Sequence, residues 1–332
     1  MACMSIESAA TVVESLPALD IPQPNLQPVP NRTPVAWRDL IEQLAQLGYN
    51  APVIIDFHTH VFSPRVKERR SEYVNRDPCF ALLYSNPKAK LATAEELVAS
   101  MDEAQVDLSV ILNIGWMSHQ LCVETNEYIL ESIARYPDRL IGFCSIQPTA
   151  GDAAIAELER CASSGARGIG EIRSDVQGFN LTDRTIMEPA TNTMVKHDLI
   201  LLTHSSEPVG HQYTGKGTIT PDILYSFILA FPQLKLVCAH WGGGLPFYGT
   251  MPEVASAFTN VFFDTAATVF LYEPHVFTEV SHIVGDDKIL FGSDYPLTTQ
   301  SRPIAQIRSL QLAEEQKARI LGDNARVLLS IA

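Results

Sequence analysis

Eight short runs of aliphatic and β-branched residues recur along the chain, and segments with helical spacing of apolar residues separate them. Each run ends in glycine or polar residues, a pattern typical of parallel strands that are buried on both faces. The predicted strands are Val53–His60, Leu108–Ile114, Leu140–Ile146, Gly168–Ile172, Leu199–His204, Leu236–His240, Val261–Thr265 and Ile289–Asp294. Eight strands alternating with helices predict an α/β fold of the (β/α)8 barrel class, also called a TIM barrel.

The segments between these runs carry apolar residues at helical spacing. The predicted helices are Thr93–Ala104, Cys122–Tyr136, Asp152–Ser163, Ile186–Lys196, Pro221–Phe231, Tyr272–Ile283, Ala313–Leu321 and Asn324–Leu329. We expect the helix that begins at Ala313 to be closed by Gly322, because glycine is common just after the last helical residue.

The first part of the chain has a different character. Six of the eighteen residues from Pro17 to Pro34 are proline, and no aromatic residue precedes Trp37. Such a segment lacks the anchors of a hydrophobic core, so residues 1–34 are predicted to form an extended or disordered arm. A short helix is predicted over Trp37–Leu47, and residues 35–332 are predicted to form the barrel domain.

Composition narrows the class of protein. Hydrophobic residues make up 46% and charged residues 19% of the chain, with no uninterrupted apolar stretch of transmembrane length and no secretory signal pattern at the start. These features predict a cytoplasmic protein without a membrane partner. The six cysteines include no C-x-x-C pair and are predicted to be reduced thiols. With 38 acidic and 24 basic residues the net charge is −14, which disfavours binding to nucleic acid.

Candidate chemistry begins at the first predicted strand, which ends in the sequence IIDFHTH. His58 and His60 are two residues apart, so on a strand both imidazoles point to the same side. The pair can hold one metal ion between its rings. The alternative is two stacked histidines that are hydrogen-bonded to each other.

Polar groups also end several other apolar runs. His204, His240 and Asp294 each follow at least four apolar residues, and alone each can be explained as a capping or packing group. Together they are expected at the carboxyl-terminal mouth of the barrel, where enzymes of this class keep their active sites. Glu171, in GARGIGEIRS, is predicted to join them as a metal ligand; the alternative is an ion pair with Arg173.

Four motifs carry a family resemblance: DFHTH, THSSEP, AHWGGGLPF and FGSDYPL, in that order along the chain. From about Val53 to Leu329 the sequence resembles the amidohydrolase superfamily, in particular the amidohydrolase-related (amidohydrolase 2) branch that contains aminocarboxymuconate-semialdehyde decarboxylase. The resemblance implies a metal-dependent barrel and a homo-oligomer, in the first instance a dimer. The ligands that it implies are His58, His60, His204, His240 and Asp294, with Asp294 also the proton carrier.

Glu171 departs from the decarboxylase-like members, which lack a metal-binding acid on the fourth strand. It looks more like the Gly-Glu motif of TatD-like hydrolases, in which the glutamate bridges two metal ions. This similarity leaves the choice between one ion and two open and favours hydrolysis.

The donor set indicates the metal and its chemistry. Imidazole nitrogens and carboxylates without cysteine suit Zn²⁺ first, with Mn²⁺ or Fe²⁺ as alternatives. A bound divalent ion would activate water and polarise a carbonyl. Asp294 is then expected to carry the proton. His240 is expected either to bind a second ion or to hydrogen-bond the water or a developing oxyanion.

Residues further from the metal are candidate substrate contacts. Arg173 and Lys216 are the cations of two strand-end segments and are predicted to bind an anionic part of the substrate. Glu207 and His211 lie in the segment SSEPVGHQYTGKG and are predicted to face the mouth, the alternative being a solvated loop. Trp241 directly follows a strand end and is predicted to form an apolar wall, the alternative being core packing.

These features predict an enzyme, a metal-dependent hydrolase that acts on a small molecule. The substrate is expected to bear a carboxylate and an amide, lactone or other ester-like bond. The first alternative is a non-oxidative decarboxylase, or carboxy-lyase, of an aromatic or unsaturated acid. The second is a metal-binding barrel without catalytic activity, which the presence of Asp294 as a proton carrier disfavours.

Overall fold

Eight parallel strands pair in chain order in the computed structural model, which describes residues 53–331. The strands are β1 Ile55–His60, β2 Leu108–Leu112, β3 Leu140–Cys144, β4 Gly168–Ile172, β5 Ile200–Thr203, β6 Lys235–Cys238, β7 Val261–Asp264 and β8 Ile289–Leu290. The N–H of Phe57 donates to the carbonyl of Phe291 at 2.7 Å and that of His60 to Tyr295 at 2.7 Å, which joins the last strand to the first. The predicted (β/α)8 barrel is therefore confirmed.

Helices follow the strands around the barrel. Their bounds are Pro64–Glu68, Arg70–Arg76, Pro78–Tyr84, Ala94–Ala104, His119–Arg135, Asp152–Ser163, Ser174–Gln177, Arg184–Lys196, Pro221–Ala230, Ala239–Gly242, Pro252–Ala257, Thr268–Leu271, Val276–Val284, Ser301–Ser309, Glu314–Ala318 and Asn324–Leu328. Short 3-10 segments span Pro148–Ala150, Leu245–Thr250 and Asp286–Lys288, and a π-helical segment spans Arg319–Asp323. Of the four helices between β1 and β2, only Ala94–Ala104 was predicted from the sequence. The other helices that were not predicted are Ser174–Gln177, Ala239–Gly242, Pro252–Ala257, Thr268–Leu271 and Ser301–Ser309.

β6 and β8 end before His240 and Asp294, the polar residues that were predicted to close them. β6 ends at Cys238, because the chain turns at His240 and Trp241, which have positive φ angles of 54° and 58°. β8 ends at Leu290, and Asp294 lies beyond it with a φ of 62°. Left-handed backbone cannot continue a strand, so both functional side chains stand on turns at the barrel mouth.

Gly322 does not end a helix, contrary to the prediction. Helical backbone runs through it, as the π-helical segment Arg319–Asp323 followed by Asn324–Leu328. A methyl group at this position would lie 1.8 Å from the carbonyl oxygen of Val53. Glycine is required here because the helix approaches the chain entering β1 so closely.

The core has two layers. Alternate strand residues point into the barrel and form one apolar cluster with Leu328 of the last helix, which packs near the amino-terminal end of β1. The other strand residues, for example Ile111 and Leu201, pack outward against the helices. Because the apolar cluster fills the barrel interior and its amino-terminal end, the opposite end is left for polar side chains.

The structure bears on two predictions, the state of the cysteines and the absence of a membrane-spanning helix. Cys79, Cys122, Cys144, Cys161 and Cys238 are buried and unbridged, in agreement with reduced thiols. Across residues 53–331 no helix combines the length and the apolar composition that crossing a bilayer requires. The cytoplasmic location stays a prediction. The predicted arm and the helix predicted over Trp37–Leu47 lie outside the described residues.

Candidate active site

Local irregularities in two strands help to place the polar side chains. The pairing of β1 with β2 shifts register between Asp56 and Thr59, and that of β4 with β5 shifts between Ile169 and Ile172. Irregularities of this kind re-aim side chains and are common beside active sites. They occur where β1 carries its two histidines and where β4 carries Glu171.

His58 and His60 face each other in a buried environment. Their Nε2 atoms lie 3.1 Å apart, and the rings meet edge to face rather than stacked. His58 Nδ1 donates to Asp264 Oδ2 at 2.8 Å, and this contact orients the ring so that its Nε2 faces His60. Two ring nitrogens that converge in this way are arranged as ligands of one ion.

Asp264 was not identified from the sequence, although it ends β7 as the other acids end their strands. Its Oδ1 accepts the backbone N–H of His240 at 2.9 Å and that of Ala266 at 3.0 Å, while Oδ2 holds His58. Burial opposes its ionisation, yet the neighbouring His58 lowers the pKa of Asp264 below its usual value. This carboxylate therefore orients two of the predicted ligands.

Glu171 lies at the centre of the cluster. Its Oε1 accepts from His204 Nδ1 at 2.8 Å and lies 3.5 Å from His240 Nε2, while Oε2 lies 3.8 Å from His60 Nε2. Burial disfavours its charge, but His204 and His240 hold the pKa of Glu171 well below its ordinary value. The alternative ion pair with Arg173 is not formed.

Asp294 is the most exposed of the six predicted ligands, with 15% of its side chain accessible. Its Oδ1 lies 3.7 Å from His60 Nε2 and 3.9 Å from His58 Nε2. The carboxylate thus completes the pair of histidines on the side that opens to solvent. A group in this position can reach both the cluster and a bound substrate.

The cluster has the composition of a divalent-metal site. Within residues 53–331, two groups of three donors each have their ligand atoms within 4.8 Å of one another: His58, His60 and Asp294, and His58, Glu171 and His240. His60 Nδ1 is buried without a hydrogen-bond partner in this part of the chain. Nitrogen and carboxylate donors without sulfur fit Zn²⁺, Mn²⁺ or Fe²⁺. The residues therefore fit a metal.

His204 belongs to neither group of three. Its Nδ1 contacts Glu171 and its Nε2 accepts from the hydroxyl of Ser206 at 3.1 Å, so it joins the cluster through the glutamate. The six predicted residues lie together, but their individual ligand roles stay predictions.

The imidazoles differ in their affinity for protons. Burial opposes the charge of His58, but Asp264 overrides it and raises the pKa to about 10. Burial and the charge of His58 lower the pKa of His60 to about 4. Burial also opposes the charge of His240, yet contact with Glu171 raises its pKa to about 8. At neutral pH His60 therefore keeps a free lone pair at the centre of the cluster.

A cavity of about 580 Å³ opens directly onto these groups. His60, Glu171, His204, His240 and Asp294 form its polar floor. Its apolar walls include Leu83, Tyr84, Phe270 and Leu297. The contrast between floor and wall suits a ligand with one polar end and a hydrophobic body.

The predicted substrate contacts divide into two sets. Arg173 and His211 line the cavity. Lys216 does not, because its ammonium donates to the carbonyls of Val209 at 2.8 Å and His211 at 3.1 Å and so stabilises its own loop. The structure thus places Lys216 away from the cavity lining, and its predicted contact with an anion stays a prediction.

Glu207 and Trp241 are also not among the cavity-lining residues. Glu207 accepts from the hydroxyl of Tyr213 at 3.1 Å. Trp241 is fully buried, and its indole N–H donates to Thr268 at 2.8 Å while the ring packs edge-on against Phe277. The tryptophan is a core residue rather than the expected cavity wall, because the left-handed turn that follows β6 directs it inward.

Known proteins with similar sequences are decarboxylases. The 2-amino-3-carboxymuconate-6-semialdehyde decarboxylase of Dictyostelium discoideum is 25% identical over an alignment of 333 positions. The match covers 83% of this chain and 91% of the relative. The gamma-resorcylate decarboxylase of a Polaromonas strain is 21% identical over an alignment of 250 positions. The match covers 62% of this chain and 75% of the relative. The predicted hydrolase activity is therefore wrong, and Glu171, which suggested it, instead contacts His204 and His240.

The fold and the sequence also agree with one family. The crystal structure of a 5-carboxyvanillate decarboxylase from Novosphingobium aromaticivorans, in complex with manganese and 4-hydroxy-3-methoxy-5-nitrobenzoic acid, superimposes with a TM-score of 0.71 at 17% identity, covering 86% of this chain and 97% of that one. The family model for amidohydrolases matches residues 55–331. The chain belongs to the amidohydrolase family and carries the histidine and carboxylate cluster of its barrel mouth on β1, on β4 and on the turns after β5, β6 and β8.

Proposed function

We propose that this protein is a metal-dependent, non-oxidative decarboxylase of a small aromatic or conjugated unsaturated acid. The observation that carries the proposal is a buried histidine and carboxylate cluster that opens onto an apolar cavity, in a chain whose relatives carry the names of decarboxylases. An acid of this kind would be the small-molecule partner of the protein.

The shape of the cavity supports an unsaturated substrate. Tyr84, Phe270 and Leu297 offer apolar surface against which a planar ring packs. The carboxylate of such a molecule would face the opposite, polar side of the cavity. Binding in this orientation brings the bond to be broken next to Asp294.

His58, His60 and Asp294 would hold a divalent ion, which when bound supplies Lewis-acid stabilisation for the oxygens of the substrate. Asp264 supports this arrangement by fixing the tautomer of His58. Manganese is the ion in the 5-carboxyvanillate decarboxylase structure, while the preference for zinc expected from the donor set stays a prediction. The count of one ion or two also stays a prediction.

Asp294 is the group that delivers a proton in the proposed reaction. Decarboxylation breaks the bond between the carboxyl carbon and the ring or chain, releases CO₂ and forms a C–H bond in its place, with no oxidant or reductant needed. Asp294 is the acid of the cluster most accessible from the cavity, so it can take up a proton from water or from the substrate and pass it to that carbon. His240 borders the same cavity and hydrogen-bonds a developing oxyanion.

The test is release of CO₂ by purified, metal-loaded protein. Hydroxylated benzoic acids and conjugated dienoic acids form the panel. We expect turnover of at least one class, and we expect Asp294→Asn to lower the rate by roughly 10²–10⁴-fold, the usual contribution of a positioned proton carrier.

The matched control is Asp198→Asn. Asp198 lies just before β5, at the other end of the barrel, and its exposed carboxylate pairs with Lys235. This variant should keep the wild-type rate. Wild-type turnover by a fully metallated Asp294→Asn protein would remove Asp294 from the mechanism. The absence of CO₂ release across the whole panel would count against the proposed function.

A further inference from the structure

We propose that Arg173 forms an anion subsite that selects substrates with a second carboxylate, remote from the one that leaves as CO₂. This inference rests on the proposed function and extends it to the substrate class. Arg173 follows β4 directly and lines the same cavity as the histidine and carboxylate cluster.

The guanidinium of Arg173 is buried but incompletely paired. The residue is only 1% exposed. Its Nη2 donates to the carbonyl of Gly215 at 2.9 Å and to Asp175 Oδ2 at 3.3 Å, while its Nε has no partner among residues 53–331. A buried cation with a free N–H is costly unless a further acceptor is supplied.

Asp175 only partly compensates this charge. The contact is single and 3.3 Å long, and the same oxygen also accepts the backbone N–H of Thr218 at 3.2 Å. Arginine binds carboxylates best through two parallel hydrogen bonds, a geometry that Asp175 does not provide here. Because Nε is closed off from solvent, a ligand carboxylate in the cavity would pair with the terminal nitrogens of the guanidinium.

The position of Arg173 relative to the cluster sets the distance between the two anionic groups. Glu171 and Arg173 are two residues apart on extended backbone, which separates their Cα atoms by roughly 6–7 Å along the chain. Both side chains line the cavity. One planar acid can therefore place its reacting carboxylate at the cluster and a second carboxylate at Arg173.

Two other cations, Lys88 and Lys90, line the cavity, but both are exposed. Charges in water gain little from pairing with an anion, because solvent screens them. Buried Arg173 is the better candidate for specificity. The lysines are nevertheless a competing explanation for any preference for dianions, so the experiment separates the two.

The experiment compares two ligands that differ by one carboxylate, salicylate and 4-hydroxyisophthalate. Their dissociation constants are measured by calorimetry on the full-length, metal-loaded protein, so the result does not depend on turnover. We expect 4-hydroxyisophthalate to bind roughly 10–100-fold more tightly to the wild type, the range of a charged hydrogen bond. Arg173→Gln should remove this preference, and Arg173→Lys should restore it only in part.

The matched control is Arg184→Gln, which removes an exposed arginine paired with Glu188 on the outer face. It should keep the preference for the dicarboxylate. Equal affinity of the wild type for the two acids would overturn the proposal, as would a preference that survives in Arg173→Gln. If Arg173→Gln does not fold, the wild-type comparison and Arg173→Lys decide. CO₂ release from monocarboxylates without discrimination would reject the subsite and leave the proposed function standing.

Discussion

Asp264 and His58 form a carboxylate–histidine pair. The acid contacts the histidine that is the candidate metal ligand and does not face the cavity. Asp264 is fully buried and is not among the cavity-lining residues. It holds His58 through the ring and His240 through the backbone N–H, so one carboxylate fixes a residue of β1 and a residue of the turn after β6. Such partners set the tautomer and orientation of a ligand.

Replacing this carboxylate tests that role. We expect Asp264→Asn to weaken metal binding roughly 10–100-fold, because an amide no longer stabilises the Nδ1–H tautomer of His58. Competition with a chromogenic chelator measures the affinity. Asp198→Asn, in which an exposed carboxylate is lost, serves as the control and should bind metal as the wild type does. Unchanged affinity in Asp264→Asn would show that the pair is only structural.

At this scale the sequence predicted residues better than their contacts. His58 and His60 were recognisable because alternation along a strand dictates that both point the same way. The contacts of Lys216 were not, because its two carbonyl partners depend on the conformation of a loop. Asp264 was within reach of the same strand-end reasoning that selected the other acids.

At the scale of secondary structure, the helical segment that contains Gly322 passes close to the backbone of Val53. This close approach limits which residues can replace the glycine. Alanine is normally about 0.5–1 kcal/mol more favourable than glycine inside a helix. Here the added methyl would collide with the carbonyl of Val53, so we expect Gly322→Ala to lower the free energy of unfolding by about 1–3 kcal/mol. Urea unfolding measures the change.

Ala318→Gly, in the preceding turn, isolates the effect of helix propensity and should cost about 0.5–1 kcal/mol. A more stable Gly322→Ala protein would mean that helix and strand move apart without penalty. The collision involves backbone atoms of two distant segments, and this is why the sequence suggested a helix end at Gly322 rather than a packing contact.

The prediction of elements succeeded where a segment was long enough to show its period. The six strands β1 to β5 and β7 coincide with predicted runs, within a few residues at each end. Pro64–Glu68 and Arg70–Arg76 have five and seven residues, fewer than or near two helical turns, so no apolar period could develop. The ends of β6 and β8 were missed because positive φ angles at His240 and Asp294 follow apolar runs that look like continuing strands.

At the scale of the whole molecule, the limits of the predicted domains remain predictions from the sequence. The family match covers residues 55–331, and the arm predicted over residues 1–34 and the barrel domain predicted over residues 35–332 stay predictions. The dimer implied by family resemblance and the absence of a nucleic-acid partner stay predictions.

Metal binding should also stabilise the whole barrel. The candidate ligands lie on β1, on β4 and on the turns after β6 and β8, so one ion would link distant parts of the chain. At a free ion concentration 100 times the dissociation constant, binding adds about 2.7 kcal/mol to the free energy of unfolding. For a domain of this size that corresponds to a rise in Tm of roughly 5–10 °C.

We therefore expect treatment with a chelator to lower the Tm by this amount and addition of Mn²⁺ or Zn²⁺ to restore it. His60→Gln removes a ligand nitrogen and should make the Tm insensitive to metal. His197→Gln, which alters a half-buried histidine near Glu159 outside the cluster, should respond as the wild type does. A wild-type Tm that is the same with chelator and with either ion would contradict metal binding by the described cluster, because a ligand that binds only the folded state must raise its stability.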